Sequence, residues 1–305
     1  MTWGRVERGE QTALKSQQRL RLFDVPTLLY IAFLMGITLV YWSRLAHPLI
    51  YLVFLAILAL NVILWIAFPP RHPVPAFLRQ FYLVAYMPLF FTAMHYYIPA
   101  LHQQDYDPLL IRWDYALLGV HPTVFLEQLL NPWLTEYLQL SYTAFYFCPA
   151  VLIVVLFVQR KYRALDYYLT LLAVAFYISY IGYLVVPALG PRFYLAHLQT
   201  RPLEGVYFFA KIQHVLNELE NIQWDAFPSG HTAIILLVVY FAYNHFRRFF
   251  YVMIPISLSL IFSTVYLRYH YVVDVLGGVA LAVLAIVLTR WLAQHRCFRS
   301  QYVEL

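Results

Sequence analysis

Apolar residues run almost unbroken through eight stretches of the chain, near 26–43, 49–69, 76–98, 133–158, 166–187, 231–246, 251–267 and 272–292. A helix needs about 20 apolar residues to cross the hydrocarbon core of a bilayer. The pattern therefore predicts an all-α, polytopic transmembrane helix bundle of about eight spans. The sixth and seventh stretches are short, which sets the range at six to eight. Two longer segments, 99–132 and 188–230, mix Pro, Gly, Asp and His with apolar patches. That composition predicts interfacial or re-entrant segments rather than long solvated loops.

Composition agrees with the pattern. Of 305 residues, 62% are hydrophobic and 12% charged, against about 45–50% and about 25% in soluble domains. Disorder, a nucleic-acid-binding tail and an ordinary soluble domain are excluded on these figures. The two cysteines, Cys148 and Cys297, suggest neither a disulfide framework nor a Cys-based metal site. The first apolar run lacks a following cleavage site of small residues and is expected to be a retained span, not a signal peptide.

The net charge of +6 could suggest an anionic partner, but its distribution points to topology. With the N-terminus inside, 15 of the 21 Lys and Arg fall on the inner side, as the positive-inside rule expects. An even number of spans then returns the C-terminus to the same side. Both termini are expected in the cytoplasm, and the basic balance calls for no nucleic acid.

Three segments assigned to the outer side hold polar groups that topology does not explain. VPALGPRF (186–193) ends the fifth span, AFPSGHTA (226–233) opens the sixth, and STVYLRYHYVVDVLGG (263–278) joins the seventh to the eighth. Pro228-Ser229-Gly230 has the makings of a helix start: Ser caps, Pro suits the first turn, and Gly lets another group approach. Exposed N–H groups at such a terminus favour an anion. His231 follows at once. His270 and Asp274, four apart, share a helix face. A carboxylate holding one ring nitrogen would leave the other as base or nucleophile. Arg192 and Arg268 add planar charged forks suited to phosphate. Gly277 and Gly278 would let the eighth helix pack closely on a neighbour.

These residues carry a resemblance to the type-2 phosphatidic acid phosphatase superfamily of membrane lipid phosphatases and phosphotransferases. The chain is most similar to its inositol phosphorylceramide synthase-like branch. The P-S-G-H motif stands whole at 228–231. The S-R-x5-H-x3-D motif is matched at Ser263, His270 and Asp274, with Thr264 where Arg is usual and Arg268 four residues on. The K-x6-R-P motif is absent in that form, and Gly190-Pro191-Arg192 resembles the synthase-like variant. The resemblance is specific over 186–278. It implies a catalytic domain over 76–305, preceded by an N-terminal segment with two extra spans over 1–75.

The resemblance implies that His270 attacks phosphorus to form a phosphohistidine, with Asp274 orienting it. It implies that His231 protonates the leaving oxygen and then activates the acceptor. Arg192, Arg268, Ser229 and Gly230 would hold the phosphoryl oxygens. No metal and no cofactor is implied. The substrate would be a membrane lipid phosphate, with a lipid hydroxyl or water as acceptor and the site on the outer face. A plain lipid phosphate or polyprenyl-diphosphate phosphatase is the nearest alternative. A proton- or ion-coupled transporter would place ionisable groups near span centres in a repeated pair of broken helices, and neither sign is present. A zinc site of His231, His270 and Asp274 lacks a recognisable ligand spacing. Asp105, Asp107, Asp114 and Asp225 have no assigned role, though a structural one is favoured for each.

Overall fold

The computed structural model describes residues 20–69, 72–219, 224–295 and 297–299. Several charges assigned to the inner side, Arg5, Arg8, Lys15, Arg19, Arg71 and Arg296, lie outside the described residues. Within the described residues every regular element is helical. In chain order these are α1 (Asp24–Val40), α2 (Pro48–Ala67), α3 (Pro73–Leu101), α4 (Asp107–Leu118), α5 (Pro122–Phe125), α6 (Pro132–Val158), α7 (Tyr162–Val185), α8 (Pro191–Tyr194), α9 (Phe209–Leu219), α10 (Gly230–His245), α11 (Arg247–Tyr266) and α12 (Val272–Gln294). Each of the eight apolar stretches forms a helix. Six of them, α2, α3, α6, α7, α11 and α12, are long and apolar enough to cross a membrane, while α1 and α10 have 17 and 16 residues. The chain is a multi-pass membrane protein. Among the described residues, segments 99–132 and 188–230 hold short helices and 3-10 turns.

The chain divides into two compact units, one ending at Ala85 and the other beginning at Tyr86. In the first, α1 packs against α2, and Ile31, Leu34, Leu55, Leu58 and Val62 on these helices are buried. Asp24, at the start of α1, is fully buried and saturated. Its carboxylate accepts from the Arg21 N–H at 2.8 Å, the Tyr82 hydroxyl at 2.8 Å and both Arg79 Nη atoms, Nη1 at 2.6 Å. The Arg79 guanidinium lies against the rings of Phe23, Trp65 and Tyr82, at 5.6–5.9 Å from their centroids. A charge buried this deeply persists only when paired and hydrogen-bonded.

In the second unit α10 is the central helix, packed against α6, α7, α11 and α12. Being surrounded, it needs apolar residues on all sides, and Ile234, Ile235, Leu237, Val238, Phe241 and Ala242 are all buried. The C-terminal ends of α7 and α11 meet the N-terminal ends of α10 and α12 at one end of this bundle. Backbone bonds stitch that end together, Ser229 N–H to the Asp274 carbonyl at 2.9 Å and Ala226 N–H to the Ala188 carbonyl at 3.2 Å. Close packing there depends on missing side chains. A Cβ on Gly278 would come 2.5 Å from the Ser229 carbonyl oxygen, and one on Gly277 would come 2.9 Å from Phe227.

Candidate active site

The PSGH segment forms the start of α10 with one adjustment to the expected geometry. Ser229 is the N-cap, its hydroxyl accepting from the Thr232 N–H at 3.3 Å. Pro228 stands before the cap rather than in the first turn. Gly230 opens the helix with the Tyr183 hydroxyl 2.9 Å from where its Cβ would be, so a larger residue would collide. His231 follows, partly buried, with its ring stacked on Tyr142 at 4.4 Å and tilted against Phe145 at 4.2 Å. Both rings pack against the imidazole and limit its rotation.

His270 and Asp274 are both buried at the start of α12. The His270 Nε2 lies 3.5 Å from the His231 Nδ1, so the two predicted histidines face each other. His270 precedes the Tyr271 N-cap of α12, so the pair does not share a helix face as expected. The turn into the helix still brings Asp274 Oδ2 to 3.5 Å from the His270 Nδ1, but Asp274 does not make that ring's short bond. The His270 Nδ1–H donates to the Ala226 carbonyl at 2.8 Å, while Asp274 Oδ2 accepts from the Tyr271 N–H at 2.7 Å. A carbonyl can only accept, so this bond places the proton on Nδ1 and the lone pair on Nε2.

The two arginines are placed differently. Arg192, on α8, donates to the Asn217 side-chain oxygen of α9 at 2.7 Å, and its guanidinium lies 5.1 Å from the Tyr269 ring centroid. Tyr269 stacks on Tyr142 at 4.4 Å. Arg192 thus joins the site through a continuous stack, Arg192–Tyr269–Tyr142–His231. Arg268, four residues after Thr264, would share its face only if the helix continued, but the helix ends at Tyr266 and Arg268 has φ 66°. The turn leads its guanidinium to Glu127 at 2.9 Å, the Gln199 side chain at 3.2 Å and the Arg201 carbonyl at 2.6 Å. Burial pulls the Arg268 guanidinium below its ordinary pKa, and Glu127 opposes the shift. Its Nε–H is buried without a hydrogen bond.

Several residues with no assigned role hold this geometry in place. Asp107 accepts from the N–H groups of Leu189 and Gly190 and from the Tyr271 hydroxyl, at 2.7–2.8 Å. Gly190 has φ 91° and a Cβ there would lie 2.8 Å from the Tyr269 carbonyl, so only glycine suits the position. Asp114 accepts from Val272 and Val273 N–H at 3.0 and 2.8 Å, a carboxylate at the positive end of α12. Burial pushes both carboxyls above the usual range, with these hydrogen bonds pulling the other way. Asp105 accepts from the Trp224 indole at 2.8 Å, and Asp225 is partly exposed. Glu136 accepts all four N–H groups of 206–209 at 2.8–3.3 Å and so anchors the start of α9. Glu127, Glu136, Tyr142, Phe145 and the Ala226 carbonyl were not singled out in the sequence. An acidic residue isolated in an apolar stretch is the one signal that pointed toward the first two.

Among the described residues no group of three or more His, Cys, Asp or Glu is arranged to hold a metal ion. Comparison with known proteins gives one relative of note, a PA-phosphatase related-family protein of Dictyostelium discoideum. It is 28% identical over 103 residues, which cover 33% of this chain and 19% of that protein's length. No solved structure matches significantly. Residues 108–288 match the PAP2 superfamily, a range that takes in both histidines, Asp274, both arginines and the bracing Asp114, Glu127 and Glu136, and the chain belongs to that superfamily.

Proposed function

We propose that this protein is a membrane lipid phosphatase or phosphotransferase that works through a phosphohistidine. The observation that carries the reading is the opposed histidine pair, with the His270 proton tied to the Ala226 carbonyl and Nε2 turned toward His231. His270 Nε2 attacks phosphorus and the phosphoester or phosphoanhydride bond breaks. The leaving oxygen takes a proton from His231, which then accepts one from the incoming water or lipid hydroxyl. Asp274, 3.5 Å from Nδ1, stabilises the positive charge of the phosphorylated ring. Arg192, Arg268 and the N–H groups at the Ser229–Gly230 helix start hold the phosphoryl oxygens. Arg192 reaches them by leaving Asn217, and Arg268 offers its unused Nε–H.

The acceptor divides the reading in two. Water makes the protein a lipid phosphatase, whereas a lipid hydroxyl makes it a transferase of the inositol phosphorylceramide synthase type. The Gly190-Pro191-Arg192 variant supports the second. The excess of Lys and Arg assigned inside supports cytoplasmic termini and a site on the outer face. The test is purified protein with a panel of lipid phosphates in EDTA, reading phosphate release and head-group transfer. Activity in EDTA that falls about 10⁴-fold or more in His270→Ala supports the reading. Full activity in that variant sinks it, and loss in EDTA with rescue by zinc replaces it with a metal mechanism. A cysteine introduced within 195–219 should react with an impermeant reagent applied from outside, and protection there reverses the orientation.

A further inference from the structure

On α6, one polar side chain has no structural occupation. Gln139 is 0% exposed, and neither its Nε2 nor its Oε1 has a hydrogen-bond partner. Leaving a buried polar group unsatisfied is costly, and this amide leaves two. The neighbours on its helix show where it sits. Tyr142 is three residues on and Thr135 four residues back, so all three share a face. Tyr142 stacks on both His231 and Tyr269, and the Thr135 hydroxyl lies 3.1 Å from the Tyr266 hydroxyl. The unpaired amide is thus one helical turn from the ring that fixes His231.

The chemistry of the amide narrows its ligand. Ionised phosphate offers acceptors only, and the arginines and the α10 start already supply donors for it. An amide with both a donor and an acceptor unspent matches a group that both gives and takes a hydrogen bond. A hydroxyl does so. We propose that Gln139 is a specificity-determining residue that pairs with a lipid hydroxyl close to the reacting phosphorus. The hydroxyl belongs either to the phospholipid donor or to the lipid acceptor. The proposal rests on the phosphoryl-transfer reading and narrows its substrates to hydroxylated lipids over bare polyprenyl chains.

The test uses the full chain in detergent with Gln139→Met, which keeps the length of the side chain and removes its polarity. In the donor arm, kcat/KM is measured for lysophosphatidate and for its 2-deoxy analogue, which lacks only the hydroxyl. In the acceptor arm, transfer to an added ceramide is compared with hydrolysis. The expected result is a preference of about 10-fold for the hydroxylated lipid in one arm, abolished in Gln139→Met, while activity on the deoxy donor in water is kept. Removing an unsatisfied amide should also raise the variant's Tm. A preference that survives in Gln139→Met, its absence from the unsubstituted protein in both arms, or a variant that unfolds or loses Tm overturns the proposal. Binding of both donors to protein carrying His270→Ala separates the two readings. A hydroxyl preference in binding without turnover by the parent protein keeps Gln139 and discards the reaction, whereas turnover without any preference does the reverse.

Discussion

Asp24 and Asp274 are both carboxylates with no exposed surface, yet their surroundings differ in kind. Around Asp24 every oxygen is used, with a full guanidinium fork, a tyrosine hydroxyl and a backbone N–H meeting one side chain. Around Asp274, Oδ2 has a single short bond, Oδ1 has none, and the nearby imidazole is bound to a carbonyl instead. The first cluster leaves no capacity to respond to a change in charge. The second can strengthen when a positive charge forms on His270. Saturation marks a fastening, whereas an unsatisfied buried group is costly and persists only where something else compensates.

That contrast can be broken by substitution. After His270→Ala, the largest effect is expected for His231→Ala, a loss of about 10²–10⁴-fold in phosphate release that shrinks when the leaving group needs no proton, as in a nitrophenyl phosphate. An equal loss with both substrates would remove His231 from proton transfer. Next comes Asp24→Ala, which strands the Arg79 charge and should lower stability by about 3–5 kcal/mol in thermal or denaturant unfolding. Activity per folded molecule should hold, and selective loss of activity would make this cluster more than a fastening. Asp274→Asn should do the opposite, leaving stability within about 1 kcal/mol and slowing turnover by roughly 100-fold. An orienting carboxylate that alone sets a tautomer is worth about 10⁴-fold, and here the Ala226 carbonyl retains that task. The smallest effect is expected for Gly278→Ala, where a methyl must displace the Ser229 carbonyl at a cost of about 1–3 kcal/mol. Unfolding of the purified variant measures it.

The spans were legible because a bilayer imposes length and apolarity on any helix that crosses it, and all eight stretches are helices. The helix start at Ser229 followed from its residue types, and the nearness of His231, His270 and Asp274 was implied by the family resemblance. What stayed hidden has a common physical cause. The Ala226 carbonyl is backbone and carries no residue signature, so the orienting role fell to Asp274 in the sequence reading. Arg268 departs from the helix by adopting φ 66°, a conformation no spacing rule anticipates. Tyr142 and Phe145 appeared as two more aromatic residues in an apolar run, since stacking depends on which helix returns opposite them. Asp107 and Asp114 were noticed but not placed, because their partners lie 82–164 residues further along the chain.

The four bracing carboxylates have a bearing on how the molecule is made. Asp107, Asp114, Glu127 and Glu136 all precede what they hold. Their partners run from Thr200 and Val206, 73 and 70 residues later, to Tyr271 at 164. A ribosome therefore delivers the acceptors of these bonds well before any of the donors. Closing loops of this length costs entropy that grows only slowly with span, so the distance itself is no obstacle. The consequence is an order of synthesis: the acceptors on α4 to α6 are made before the segments they will hold at this end of the bundle. Loss of one of these carboxylates would leave later backbone N–H groups without the partner made for them, although both histidines are intact.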